Sequence, residues 1–264
     1  MKTLILTSYF SKKPHPQKGD PNILGVGKDG RVSRSDFSYI EEWWKSVHEL
    51  GLHARVFYDD LTEEFLAKYT TERIKFVKAE TKETRYSNND WRYFCYHQYL
   101  LGKEKSDPHW QDWESVFMTD CSDVVVVKDP SELFEMEEYM EYHFFTGKDI
   151  DIPWAAYSFG NISYKSIHEG CGWAGMDFFE KHGKDLPLIN MGVVGSITTN
   201  VEYFLHLFVH ARSRSKTPVN INMALGQFIL RYAFQEYKIK VGAPVTSEYK
   251  KWQKDRKDVY FIHK

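Results

Sequence analysis

The sequence has few cysteines and no excess of charge of either sign, and each shortage excludes a class of protein. Its three cysteines, Cys95, Cys121 and Cys171, lie far apart and form no C-x-x-C pair, which argues against a disulfide framework or a zinc knuckle. Lysine and arginine total 35 against 37 aspartate and glutamate residues, and the basic residues are scattered. We therefore expect a protein of a reducing compartment whose main partner is not a nucleic acid.

Long apolar runs are also missing. No segment approaches the roughly 20 apolar residues that a membrane span needs, and the apolar part of the N-terminus is too short for a signal peptide. We therefore expect a soluble, cytoplasmic protein without a transmembrane segment. The 264 residues suffice for a large core, and we interpret residues 1–264 as a single domain. The aromatic content of 16% suits both a core and a sugar-binding surface.

Strand and helix patterns alternate through the first half of the chain, and this alternation predicts the fold. It favours an α/β protein with a mainly parallel central sheet between two layers of helices. After Pro130 the alternation breaks, so we expect a mixed C-terminal part of the sheet. The predicted strands cover about 3–7, 52–58, 73–77, 116–118, 142–145, 154–157 and 238–241. The predicted helices cover about 36–50, 62–69, 88–101, 131–140, 198–212 and 220–234.

Two glycine-containing segments could be mistaken for ligand loops. Gly25 to Gly30 matches the dinucleotide fingerprint letter for letter, but it neither follows a strand at once nor opens a helix, so we interpret it as a flexible loop. The three glycines between His168 and Asp177 permit close approach of backbone to a ligand. A turn-rich connector explains them equally well.

The segment from Ser115 to Pro130 carries the most informative chemistry. A short apolar strand leads into an acidic turn with Asp120 and Asp123, and four valines follow it as a buried strand. Like charges held close together need a cation or hydrogen bonds to compensate them. The turn therefore indicates a divalent metal site with open positions for water or phosphate oxygens, the alternative being that both aspartates cap turns.

A later segment, Asn190-Met-Gly-Val-Val-Gly195, has two glycines in an apolar run. This makes it a poor ordinary strand, but it suits a backbone that passes hard against a bulky group.

With these two segments the sequence resembles the GT-A glycosyltransferases, which carry a D-x-D signature and an N-x-G-x-x-G segment. It is more loosely similar to the small glycosyltransferases of large algal viruses. The resemblance implies a GT-A-like three-layer sandwich with a nucleotide-binding half (1–128) and an acceptor- or sugar-binding half (129–264). It implies a hexosyl- or pentosyltransferase that moves a sugar from a UDP- or GDP-linked donor to a glycan or glycoconjugate acceptor. A virus-encoded protein acting in a host cell is one expectation of the same resemblance.

The resemblance also assigns roles to residues. Mn²⁺ or Mg²⁺ would be bound by three ligands, which are Asp120, Asp123 and His263. The extra residue between the aspartates leaves open which of them touches the metal directly. The base and ribose would contact residues after the first strand and before the acidic one, which are Thr7, Ser8, Tyr9 and Arg92, a surface ion pair being the alternative for Arg92. The sugars would be bordered by Asn190, Gly192, Gly195 and Asn222.

The catalytic base is the least determined residue. An inverting enzyme needs a base beside the acceptor hydroxyl, yet the place where relatives carry an acid reads Asn220-Ile-Asn222. The base is then Glu169, Asp177 or Asp185, of which we favour Asp177, or the enzyme retains configuration, which is our preference. The alternative functions are a non-catalytic sugar-binding protein and a magnesium-dependent phosphohydrolase. The covalent form of the latter lacks its aspartate, because the first strand ends in Thr7-Ser8-Tyr9.

Overall fold

A seven-stranded sheet runs through the part of the chain that the structure describes. The computed structural model describes residues 1–15, 24–80, 85–102, 112–154, 162–216, 220–249, 251 and 253–264. The strands are β1 (Thr3–Tyr9), β2 (His53–Tyr58), β3 (Ile74–Lys78), β4 (Ser115–Thr119), β5 (Val124–Val126), β6 (Phe144–Pro153), β7 (Pro187–Ile197), β8 (Ile239–Val241) and β9 (Phe261–His263).

The strand order in this sheet is β3-β2-β1-β4-β7-β6-β8. Only β7 runs against its neighbours, since it pairs antiparallel with both β4 and β6, while the other pairs are parallel. The prediction of a mainly parallel sheet with a mixed C-terminal part is confirmed. Strand β5 leaves the main sheet and pairs antiparallel with β9.

Helices connect these strands and cover both faces of the sheet. The α-helices are α1 (Glu41–Glu49), α2 (Glu63–Tyr69), α3 (Asn88–Leu100), α4 (Ile162–Phe178), α5 (Thr198–Arg214) and α6 (Asn222–Phe228). Short 3-10 helices cover Phe37–Tyr39, Pro130–Phe134 and Glu137–Tyr139, and π-helical turns continue α4 over Phe179–Gly183 and α6 over Ile229–Ala233.

Two details of the helices differ from the prediction. The N-cap of α3 is Ser87, whose Oγ accepts a hydrogen bond from the Asp90 amide, so the cap lies one residue before the predicted asparagines. The region predicted as one helix over 131–140 forms the two 3-10 helices instead, with Asp129 accepting from the Ser131 amide.

Two apolar clusters fill the space between sheet and helices, one on each face. One face packs α3, α5 and α6 on the sheet. The other packs α1, α2, β5 and β9. The three predicted layers are therefore present in the described structure. Trp43 of α1 is fully buried in the second cluster, and its indole donates to Thr119 Oγ1 over 2.9 Å at the end of β4.

The glycine-containing segments 168–177 and 190–195 both lie in regular secondary structure. The run from His168 to Asp177 belongs to α4, so the predicted loop is wrong there, and the helix breaks at Gly172, which has φ 70°. The run from Asn190 to Gly195 lies inside β7, a strand buried over most of its length. Glycine is a poor strand former, but Gly192 and Gly195 leave space for the rings of His263 and Phe117.

Within the described residues, no helix combines the length and apolar character that crossing a bilayer would require.

Candidate functional site

The acidic turn leaves the carboxyl end of β4, in the middle of the sheet. Because β4 is bracketed by β1 and β7, its end is fixed on both sides. The Asp120 amide donates to the carbonyl of Gly192 on β7 over 2.9 Å. On the other side, the Cys121 thiol donates to the carbonyl of Ser8 over 3.1 Å. The position of the turn is thus set by the two neighbouring strands.

The C-terminal segment completes the site. Strand β9 pairs with β5 so that His263 lies opposite Val124, the residue after Asp123. The Lys264 amide donates to the carbonyl of Asp123 over 2.8 Å. This short ladder brings an imidazole from the end of the chain to a turn about 140 residues earlier in the sequence.

Asp120, Asp123 and His263 form a cluster that could hold a metal ion. One ligand atom from each residue lies within 4.8 Å of the other two. His263 Nε2 and Asp123 Oδ2 lie 3.6 Å apart, within ion-pair distance. The three groups converge on one point, as ligands around a shared ion do.

The imidazole of His263 is held in a tight slot. Its side chain is only 2% exposed, and its Nδ1 atom has no hydrogen-bond partner. A Cβ atom added at Gly192 would lie 2.4 Å from His263 Cε1. Only glycine fits at this position of β7. The predicted close passage of this backbone past a bulky group is therefore seen at Gly192, and the bulky group is His263.

The charges around the turn favour an ionised Asp123. Burial by itself raises the pKa of this carboxyl group, but the adjacent His263, His15 and Arg92 outweigh burial and hold the pKa below its ordinary value. The neighbouring Cys121 behaves differently, because its burial raises the thiol pKa to about 12. The turn thus combines a charged carboxylate with a neutral thiol.

Arg92 of α3 forms a buried ion pair with Asp120. The guanidinium contacts Asp120 Oδ1, and the two side chains are 5% and 24% exposed. It also donates to the carbonyl of Met191 over 3.2 Å, so it links α3 to β7 as well. The alternative of a surface ion pair for Arg92 is therefore wrong.

A polar cleft adjoins the turn at the carboxyl edge of the sheet. Its lining includes Ser8, Arg92 and Asp120 from the predicted set. It also includes residues that the sequence analysis did not assign to the site, which are Phe10, His15, Tyr39, Asn88, Asn89, Cys121 and Ser122. The two asparagines could have been found from their position at the start of α3, which begins at this edge, whereas no local pattern marks His15 or Tyr39.

Two residues predicted to line this cleft point elsewhere. Thr7 is fully buried and donates to the Thr119 carbonyl over 2.8 Å. Tyr9 is also fully buried, and its hydroxyl, which has one proton to donate, lies 2.7 Å from the carbonyl oxygens of both Ser33 and Asp36. Since side chains alternate along a strand, the chain exposes Ser8 to the cleft and buries both neighbours.

The predicted sugar-binding residues separate into two groups. Asn190 bridges β6 and β7, because its amide donates to Asp149 Oδ2 over 2.9 Å and its Oδ1 accepts from the Gly192 amide over 2.7 Å. Asn190 and Gly192 therefore adjoin His263.

Gly195 packs in the core, where an added Cβ would lie 2.2 Å from the ring of Phe117. Asn222 begins α6 and is 4% exposed, and its Oδ1 accepts from the Met223 amide over 2.9 Å.

The carboxylates predicted as bases do not line the cleft described above. Asp177 lies near the end of α4, 62% exposed, in an ion pair with Lys181 one turn later. Glu169 accepts from Ser215 Oγ and from the Lys216 amide, which ties α4 to the end of α5. Asp185 is exposed. Asp149 was missed, although it is the carboxylate that bonds Asn190.

The donor set fits a divalent cation. Carboxylate oxygens suit Mg²⁺ and Mn²⁺, whereas an imidazole nitrogen favours a softer ion than Mg²⁺. Of the two ring nitrogens of His263, Nε2 faces Asp123 and is the one placed to bind the ion. Three ligands leave room for water or phosphate oxygens in a six-coordinate shell.

Comparison with known proteins finds similarity at the level of solved structures. Neither a protein-family model nor a curated protein matches the sequence. Among solved structures, the protein is similar to a glycosyltransferase involved in the glycosylation of the major capsid of PBCV-1, with 16% identity and a TM-score of 0.48 over 100% of this chain and 92% of that chain. The function is therefore derived from the residues of the site.

Proposed function

We propose that this protein is a metal-dependent glycosyltransferase that moves a sugar from a nucleotide diphosphate sugar to a hydroxyl group of a glycan or glycoconjugate. The observation that carries the proposal is the convergence of Asp120, Asp123 and His263 beside Arg92 at the carboxyl edge of an α/β sheet. Ligands bind at this edge in open α/β sheets. A cation ligand set next to a guanidinium suits a diphosphate, because a metal ion and an arginine can each neutralise phosphate charge.

The aspartates have different roles in this proposal. Asp123 and His263 bind Mn²⁺ or Mg²⁺ directly, and Asp120, whose Oδ1 is engaged by Arg92, binds it through its other oxygen or through water. The bound cation would neutralise charge on the departing diphosphate and so lower the cost of breaking the bond to the sugar. Gly192 leaves the space that the His263 ring occupies, because a Cβ atom at this position would overlap the ring.

The nucleotide would bind at the opening of this cleft. The base and ribose of a UDP- or GDP-linked donor would contact the partly exposed Ser8 and Asn89 there, because Tyr39 is only 7% exposed. The nucleotide-binding half is then 1–128 and the sugar-binding half 129–264.

Asp149 is our candidate for the group that faces the acceptor hydroxyl. It is joined through Asn190 to Gly192, and so to the slot of His263. Asp177, by contrast, is exposed and paired with a lysine. If Asp149 acts as the base, the enzyme can invert the anomeric configuration. If Asp149 can be replaced without loss of turnover, retention is favoured, as is also suggested by the lack of an acid at 220–222. The anomeric configuration of the product, measured by NMR, distinguishes the two.

The first experiment is a thermal-shift panel of UDP- and GDP-linked sugars with and without Mn²⁺. A ligand that binds only the native state raises its stability, so we expect one base to raise Tm only when Mn²⁺ is present. Release of free nucleoside diphosphate with an added acceptor then measures transfer. Protection that is independent of Mn²⁺, or full turnover in excess chelator, would contradict the proposal.

Variants separate the proposed roles. We expect Asp123→Asn and His263→Ala each to abolish Mn²⁺-dependent protection, while Asp177→Asn, at an exposed pair of α4, leaves it unchanged. Binding without turnover under every donor and acceptor would instead favour the non-catalytic sugar-binding protein. Hydrolysis of simple phosphomonoesters would favour the phosphohydrolase.

A further inference from the structure

The ring of His263 lacks the hydrogen bond that usually fixes the orientation of a metal-binding histidine. Such histidines almost always donate from their second ring nitrogen to a carboxylate, a carbonyl or water, and this bond sets the plane of the ring. The Nδ1 atom of His263 is buried, and among the described residues it has no hydrogen-bond partner. Packing therefore has to hold the ring with Nε2 toward Asp123.

The segment 245–249 runs beside β9, on the side opposite to β5. The Ser247 amide donates to the carbonyl of Phe261, and the Phe261 amide donates to the carbonyl of Val245, each over 2.9 Å. The Ser247 side chain also binds the histidine backbone, since its Oγ accepts from the His263 amide over 2.9 Å and donates to the His263 carbonyl over 3.3 Å. With β5 on its other side, the backbone of β9 is fixed from both directions.

Tyr249, at the end of this segment, places its ring against the imidazole. The centroids of the Tyr249 and His263 rings are 4.6 Å apart, with an interplanar angle of 47°, and paired aromatic rings lie roughly 4.5–7 Å apart. The backbone of Gly192 also approaches the imidazole, because a Cβ atom there would lie 2.4 Å from Cε1 and 2.7 Å from Nε2. Two neighbours thus restrict the imidazole, a backbone without a side chain and an aromatic ring.

We propose that Tyr249 is a positioning residue of the metal site, which orients the His263 imidazole so that Nε2 stays toward the ion. The inference rests on the function proposed above, since it takes His263 as a metal ligand. The tyrosine acts through the histidine and not through contact with the substrate. Without the tyrosine ring, the imidazole gains room to adopt other rotamers, and those that turn Nε2 away from Asp123 lower the affinity for the metal.

The test measures Mn²⁺ binding by electron paramagnetic resonance and detects coordinated nitrogen by electron spin-echo envelope modulation. An imidazole nitrogen bound to Mn²⁺ gives a modulation that oxygen ligands do not give. In Tyr249→Ala we expect about tenfold weaker Mn²⁺ binding and a weaker nitrogen modulation at saturating Mn²⁺. Tyr249→Phe keeps the ring and should match the wild type in both measurements.

The matched control is Tyr142→Ala, the same change at a half-buried tyrosine before β6, and it should change neither measurement. Unfolding of the metal-free proteins is followed in parallel. If Tyr249 only supported the fold, its replacement would lower the unfolding midpoint and leave the nitrogen modulation of the folded protein unchanged.

The outcomes separate this inference from the function on which it rests. An unchanged nitrogen modulation in folded Tyr249→Ala, or equal losses in Tyr249→Phe and Tyr249→Ala, would overturn the role of Tyr249 and leave the metal site intact. A wild-type protein that binds no Mn²⁺, or binds it without nitrogen modulation, would overturn the ligand role of His263 and this inference with it. If Tyr249→Ala does not fold, Tyr249→Leu, which retains apolar bulk without a flat ring, is measured in its place against the same outcomes.

Discussion

The ion pair between Arg92 and Asp120 gives a stability prediction that is separate from catalysis. Asp120→Asn keeps the shape of the side chain but removes its charge, and leaves a guanidinium that is 5% exposed without its carboxylate. Breaking a buried pair by removing one partner costs about 3–5 kcal/mol. Since Asp120 is itself 24% exposed, we expect a loss at the lower end, about 3 kcal/mol, or a fall in Tm of roughly 6–12 °C.

The assay is urea unfolding followed by circular dichroism, without metal, so that ligand binding does not contribute. The control is Asp177→Asn, the same chemical change at a pair whose two partners are each 62% exposed. An exposed pair contributes less than about 1 kcal/mol. A double-mutant cycle with Arg92→Met then tests the mechanism, because removing both charges should cost less than the sum of the single losses.

An Asp120→Asn protein within about 1 kcal/mol of the wild type would refute this reasoning. It would mean that water reaches the guanidinium or that the carbonyl of Met191, which Arg92 also contacts, satisfies it alone. Strictly additive losses in the cycle would refute it as well. Either result would return Asp120 to a role in the metal site only.

Three further predictions concern close packing and burial. Gly192→Ala should displace the His263 ring, because the new Cβ would lie 2.4 Å from it, and we expect weaker Mn²⁺ binding by electron paramagnetic resonance while the fold persists. Gly195→Ala should overpack the core by forcing a methyl group within 2.2 Å of a phenyl ring of β4, with a loss of about 1–3 kcal/mol or more in urea unfolding. Asp90→Asn should cost about 3–5 kcal/mol, because its partner Arg212 is also fully buried; an unchanged unfolding midpoint would contradict the last two.

Local patterns predicted the strands of the first half and a mainly parallel sheet, but not the pairing of each strand in the second half. The alternation of strands and helices before Pro130 identified β1 to β4, because each of these strands is a short apolar run bounded by turn residues. Nothing local could reveal that β7 runs against its neighbours, since the direction of a strand depends on partners far away in the sequence. The helix predicted over 131–140 forms two short 3-10 helices instead, and a proline in the first turn suits either kind of helix.

The same division holds within the site. The aspartates could be found because they follow a buried strand. Thr7, Ser8 and Tyr9 were predicted to line the cleft together. Because successive side chains of β1 point to opposite faces of the sheet, only Ser8, or else both of its neighbours, can face the cleft. Applying this alternation to the strand would have selected Ser8, since Thr7 and Tyr9 share a face.

The two residues between the aspartates explain how the turn joins two sheets. Asp120 stays with the main sheet, where its amide bonds Gly192. Asp123 directly precedes β5, which pairs with β9 in the second sheet, and the carbonyl of Asp123 accepts from the Lys264 amide. A turn one residue shorter would have to bring the second carboxylate back toward β4 and away from His263. The longer spacing therefore lets one aspartate be held by Arg92 while the other meets a histidine from the end of the chain, which is why we expect the two asparagine variants to differ, the first in stability and the second in metal affinity.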